Sequence, residues 1–147
     1  MTDSFRIVGS LAAAGPAAVA AVAFRDGEGR LLLQLRDAFP DVVYGGYWGL
    51  FGGAVDAGET VLAAAVRETE EELGLALPPT AFCPVAQTVS TLPDRARLHF
   101  FRVDVVIAPS DIRLGEGAGF AFFTLDQVRA LRLVPTLRRV LEADVGL

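Results

Sequence analysis

The sequence predicts an α/β or α+β layered domain. Three observations carry that reading. Short, strand-like apolar runs recur along the chain, and only a few segments have helical character. The 147 residues, 52% of them hydrophobic, are enough for one sizeable core. Residues 1–147 read as a single domain, with no internal repeat and no low-complexity linker.

The N-terminal Ala/Gly/Pro stretch is either a short strand or a loose arm. Residues 17–24 and 30–35 are strand-like, and Asp26-Gly27-Glu28-Gly29 between them signals a hairpin, since glycine reaches positive φ cheaply. Residues 37–47 mix Pro, Asp, Gly and Tyr and form a loop. Residues 48–55 are short, apolar and broken by glycine. A helix is expected over 60–73, with Thr60 as its N-cap and Gly74 as a left-handed C-terminal cap. Strands follow at 85–91 and 98–107, separated by a loop at Pro93-Asp94. Residues 108–119 form a Pro/Gly-rich loop, and 120–123 a further short strand. The tail predicts helices at 125–130 and 135–143, the second opened by Pro135 in its first turn.

The net charge of −5 offers no general attraction to nucleic acid or to an anionic membrane. A phosphate-bearing ligand would need a local cation or a metal. All thirteen basic residues are arginine, which reflects a GC-rich genome more than a function. Cys83 is the only cysteine, so no intrachain disulfide forms and a reducing cytoplasm is the expected compartment. The apolar stretch LAAAGPAAVAAVAF has only Arg6 ahead of it and runs straight into the hairpin, unlike a signal peptide. No segment reaches the roughly 18 to 20 apolar residues of a membrane span.

The stretch FGGAVDAGETVLAAAVRETEEELGL, residues 51–75, carries the chemistry. Four of its glutamates lie within Glu68 to Glu72. At about 100° per residue, Glu68, Glu71 and Glu72 share an arc about 100° wide. Leu62, Val66, Thr69 and Leu73 fall on a different arc, the expected core face. Ala65 lies between the two, Arg67 flanks the acidic arc, and Glu70 points to water. Three carboxylates on one arc repel one another. Such an arc is either a solvated helix face or a site for a hard divalent cation, which takes oxygen ligands and completes its shell with substrate phosphate.

Gly53, five residues, Glu59, seven residues, then Arg67-Glu68-Thr69-Glu70-Glu71-Glu72-Leu73-Gly74-Leu75 closely resembles the signature box of the Nudix hydrolase superfamily. Every defining Gly, Glu and Arg is present at the family spacing. Thr69 replaces a bulky aliphatic, a departure that touches packing. The preceding WGLFGG resembles the family's W-x-L-P-G-G entry, with Phe51 in place of proline. The resemblance implies an α/β/α sandwich around a mixed β-sheet and hydrolysis of a nucleoside diphosphate linked to another group. It implies that Glu68, Glu71 and Glu72 ligate Mg²⁺ or Mn²⁺, with Gly53 giving close backbone approach and Arg67 orienting a glutamate. Glu59 would support the loop–helix junction. Glu116, in GEGAGF, is similar to a glutamate that joins the metal site or acts as general base in MutT-type members. The base is then Glu68, Glu71 or Glu116.

Arg36 resembles an arginine that faces the site and is expected to contact phosphate. Phe51, Tyr44 and Tyr47 are expected to line a pocket mouth and touch substrate. Trp48 and His99 are expected to pack within the fold. The small size and the GEG loop favour a MutT-like enzyme that converts a nucleoside triphosphate, including an oxidised one, to monophosphate and pyrophosphate. An ADP-ribose or nucleotide-sugar pyrophosphatase is the alternative, although Thr91 stands near where the ADP-ribose type often has proline. A nucleotide sensor without turnover usually loses box acids, and this chain retains them. The partner is a small nucleotide, not a nucleic acid polymer or a membrane. Homodimers are common in the superfamily.

Overall fold

The computed structural model describes residues 4–105, 107–115 and 117–147. Its centre is the strand β2 (Ala18–Arg25), which follows β1 (Arg6–Ile7). Seven of the eight residues of β2 are apolar, and Ala20, Val22, Ala23 and Phe24 are fully buried. A strand that is apolar on both faces needs a layer on each side. Two clusters supply them. Ala20, Val22 and Phe24 pack with Ala64, Ala65 and Leu73 of the helix α1 (Val61–Leu73). On the other face Ala23 packs with Leu31, Leu33 and Phe100, and with residues of α2 (Leu125–Ala130) and α3 (Pro135–Glu142). The result is an α/β/α sandwich.

The sheet has eight strands and is mixed. Its path runs β1, β6 (Cys83–Val89), β7 (Arg97–Asp104), β2, β3 (Leu31–Leu35), β4 (Trp48–Gly49). β5 (Phe51–Ala54) pairs with β2, and β8 (Gly119–Phe123) pairs with β3. β1–β6 and β2–β7 are parallel, and the other pairs are antiparallel. The expected hairpin forms, with Asp26 accepting from the backbone N–H of Glu28 and Arg30 at 2.9 Å. Its strands pair only at Phe24–Leu32 and Arg25–Leu31 before they part. β5 takes the freed edge of β2, while β3 moves on to β4 and β8. The chain therefore changes partner at Leu50, between β4 on β3 and β5 on β2.

Strand ends shift from the sequence expectation for a physical reason. β7 stops at Asp104, opposite Arg25 where β2 ends, and the Val105 N–H makes a last bond to Arg25 O at 3.2 Å. β6 starts at Cys83 and stops at Val89, after which the Ser90 hydroxyl accepts from the Leu92 N–H at 3.0 Å and turns the chain. Trp48 packs edge-on to Phe123 at 4.9 Å, as a core residue should. His99 meets Phe5 edge-on at 5.1 Å, and burial lowers its pKa, which keeps the imidazole neutral.

Candidate active site

Helix α1 forms as its caps predict. Thr60 has extended backbone and its hydroxyl accepts from Ala63 N–H at 3.0 Å. Gly74 takes φ 68° and donates to Glu70 O at 2.9 Å. Thr69, the departure from the aliphatic pattern, is 1% exposed, and its hydroxyl donates to Ala65 O at 2.8 Å. The polar atom is thereby satisfied inside the helix, and the rest of the side chain packs.

The helix lies differently on the sheet from the expected arcs. Its buried residues are Ala64, Ala65, Thr69, Glu72 and Leu73, whereas Leu62 is 36% exposed. Of the acidic arc Glu72 is thus buried and Glu68 largely covered while Glu71 stays exposed, and Leu62 is not core. The cause is β5. Alternation along this strand turns Phe51 and position 53 toward α1, and position 53 has no side chain. A Cβ at Gly53 would fall on the Glu68 carboxylate. Bare backbone admits the acids where any side chain would push them out. Glu72, 3% exposed, accepts from Gly52 N–H at 2.9 Å.

Arg67 joins the acids. Its Nε donates to Glu59 Oε2 at 2.8 Å and its Nη2 to Glu59 Oε1 at 2.9 Å, a bidentate pair. Its Nη1 reaches Glu68 Oε1 at 2.9 Å and Glu71 Oε2 at 3.2 Å. Nη2 also donates to Ala54 O at 3.0 Å, which ties helix to strand. The hydrogen bonds that Arg67 donates to Glu59 and then to Glu68 raise its pKa. Glu59 also accepts from Asp56 N–H at 3.0 Å, so it braces the loop–helix junction as expected. The Arg67 hydrogen bonds hold its carboxyl at about 2, below the ordinary 4.5.

That depressed value makes a stability prediction. The contribution of Glu59 is complete above its unfolded value near 4.5 and drains away as pH falls toward 2. Thermal melts from pH 6 to pH 2 are expected to show a shallower loss of Tm in Glu59→Gln than in wild type. Parallel curves would mean the pair contributes no pH-dependent stability.

Among the described residues no three His, Cys, Asp or Glu side chains stand close enough to hold an ion. Arg67 Nη1 sits between Glu68 and Glu71, and Glu72 faces the Gly52 N–H. The donor set itself suits a hard cation, being all carboxylate oxygen beside a glycine cradle. Glu116 lies outside the described residues. Of its neighbours, Gly115 is anchored to α1 and Gly117 packs on β3. Gly115 N–H donates to Glu72 O at 2.7 Å, and a Cβ at Gly117, where φ is 94°, would collide with the Gln34 amide.

Beside the acids, across β5, opens a cleft of about 380 Å³. Gly52 and Gly53 line it, together with Val19, Leu98, Arg36 and Tyr44. Arg36 is held by an Nε bond to Val43 O at 2.7 Å and also borders a second recess with Gln34, Asp37 and Asp41. The structure thus brings Gly53, Arg67, Glu68, Glu71 and Glu72 to one side of β5 and Arg36 to the other. Phe51 does not join them. It is 1% exposed and meets Phe24 edge-on at 6.5 Å, because its place opposite Val22 turns it into the α1-side core. The cleft lining carries Tyr44 rather than Tyr47, which stands behind it. Thr91, noted in the sequence only as standing near the proline position of the ADP-ribose type, and Asp94, in the loop after β6, also line the cleft.

A family model, the NUDIX domain, matches residues 15–143. The chain is similar to the uncharacterized Nudix hydrolase YfcD of Escherichia coli strain K12, 42% identical over 60 residues. That match takes in 41% of this chain and 33% of the relative, so it spans about a third of the relative's length. The fold is similar to that of a MutT protein from Methanosarcina mazei Go1. The TM-score is 0.68 at 20% identity, over 89% of this chain and 94% of the other. It is also similar to the Escherichia coli ORF135 protein, with TM-score 0.68, 25% identity and 92% of each chain covered.

Proposed function

The chain belongs to the NUDIX domain family, and from that premise we propose that it is a divalent-metal-dependent pyrophosphohydrolase. Its proposed substrate is a nucleoside diphosphate linked to another group, foremost a nucleoside triphosphate cleaved to monophosphate and pyrophosphate. The observation that supports this most is the placement of Glu68 and Glu72 against the Gly52-Gly53 backbone, with Arg67 Nη1 joining Glu71 to Glu68 and the cleft on the other side of the same two glycines.

Glu68, Glu71 and Glu72 would hold Mg²⁺ or Mn²⁺, with Glu116 as a further ligand. A bound divalent ion neutralises the pyrophosphate and makes a coordinated water more acidic. The chain's own residues do the rest. Glu59 keeps Arg67 fixed through Nε and Nη2. That leaves Nη1 as the arm that orients Glu68 and Glu71. One of Glu68, Glu71 and Glu116 takes the proton of the attacking water. Arg36, which lines the cleft, would meet a phosphate oxygen. The apolar wall of the cleft keeps water from the rest of the substrate.

The test is product analysis. Purified protein with Mg²⁺ is incubated with nucleoside triphosphates, 8-oxo-dGTP, ADP-ribose, nucleotide sugars and dinucleoside polyphosphates, and the products are separated by chromatography. Cleavage to a monophosphate that EDTA abolishes is expected. Folded protein that cleaves nothing on this panel would sink the proposal.

A further inference from the structure

Tyr44 is a non-glycine residue with φ 56°, a left-handed conformation that a bulky side chain rarely adopts. It is also well tethered. Its hydroxyl lies 2.9 Å from Thr91 Oγ1, a contact that joins loop 37–47 to the turn after β6 across the cleft. Behind it stands the Tyr47 ring, at 5.5 Å and tilted by 55°. The Arg132 guanidinium lies over Tyr47 at 4.2 Å and reaches its hydroxyl at 3.3 Å. A cation over one aromatic ring and a second ring tilted against the first make a packed aromatic cluster. Its last member, Tyr44, lines the cleft. The strained backbone, the pinned hydroxyl and the backing ring all hold one aromatic side chain in one place.

We propose that Tyr44 is the specificity-determining residue of the cleft, a fixed platform on which the planar base of the substrate stacks. The rest of the lining fits a flat, largely apolar group. Ala21, Leu50, Ala96, Leu98 and Phe100 supply aliphatic and aromatic surface, and the small residues leave room. The hydroxyl of Tyr44 is engaged by Thr91, so it is the ring that Tyr44 offers to a ligand. Stacking on a ring is tolerant of base identity, so Tyr44 selects for a base rather than for one particular base. Arg36, at the same cleft, meets the phosphate end. This inference rests on the proposed nucleotide chemistry but is tested apart from it.

The experiment compares wild type with Tyr44→Phe and Tyr44→Asn. Asparagine tolerates positive φ, so Tyr44→Asn removes the ring without adding backbone strain. The readouts are melting temperature, calorimetric affinity for AMP and for GMP without metal, and affinity for inorganic tripolyphosphate, which has no base. Tyr44→Asn is expected to weaken both nucleotides about tenfold, keep Tm, and leave tripolyphosphate unchanged. Tyr44→Phe is expected to bind within about threefold of wild type. The KM of a cleaved nucleotide should rise with little change in kcat. Wild-type nucleotide affinity in Tyr44→Asn, an equal loss of tripolyphosphate, or no nucleotide binding by wild type would each overturn the platform. Absence of turnover in wild type, with binding behaving as stated, overturns the hydrolase reading alone.

Discussion

Glu72→Gln is expected to lower metal-dependent turnover by at least about 100-fold while the protein stays folded. The side chain is 3% exposed and packed against β5, so a residue of the same shape is needed to keep the packing. Glutamine keeps the shape and an oxygen that accepts from Gly52 N–H, and it exchanges the second carboxylate oxygen for a neutral NH2. The shape of the side chain is kept, so Tm is expected to stay near that of wild type. Stability and activity then move independently, which a merely structural acid would not allow. Glu70→Gln is the control, because Glu70 is exposed on the same helix and is expected to keep wild-type turnover. The measurement is steady-state turnover with Mg²⁺ beside a thermal melt. Near wild-type turnover in Glu72→Gln would remove this residue from the chemistry.

The adjacent glycines separate fold from function more sharply. Gly52→Ala is expected to lose about 3 kcal/mol or more of stability, or to fail to fold. Gly52 has φ 149°, and an added Cβ would collide with Ala20 O and lie 2.8 Å from Ala21 Cα on the paired strand. Both obstacles are backbone, so relief requires breaking the β2–β5 register. Gly53→Ala meets a different obstacle, the Glu68 carboxylate, which is the far end of a flexible side chain. The fold is expected to survive with a loss of about 1 kcal/mol, while turnover falls at least about tenfold because Glu68 is displaced. Chemical denaturation and activity on the two variants check this. Two variants with the same stability loss would show that Gly53, like Gly52, serves only the strand.

Both results depend on where α1 sits, which the helix sequence does not state. Its start, stop and arcs are local. Thr60, Gly74 and the 3.6-residue spacing of Glu68 and Glu72 can be read without a partner. Which arc faces inward depends on what the neighbouring strand presents, and that strand is glycine at 52 and 53. A wheel that assigns apolar residues to the core puts Leu62 inside and the acids on another arc, whereas the sheet leaves Leu62 exposed and buries Glu72 while Glu71 stays exposed. Phe51 fails for a related reason. The entry pattern implies nearness to the site, but a side chain in a strand goes to whichever face its register dictates, and opposite Val22 that face is core.

By itself the sequence determined the α/β class, the hairpin at Asp26–Gly29, the capped helix, and the set Gly53, Glu59, Arg67, Glu68, Glu71 and Glu72, because caps, turns and motif spacing are written within short windows. Only the tertiary structure decided that β7 runs parallel to β2, that Glu72 is buried against the Gly52 N–H, and that Tyr44 meets Thr91 across a cleft. These pairings join residues 20 to 79 positions apart in the chain. Their choice is made by the burial of both sheet faces at once, a collective term that no local window of sequence contains.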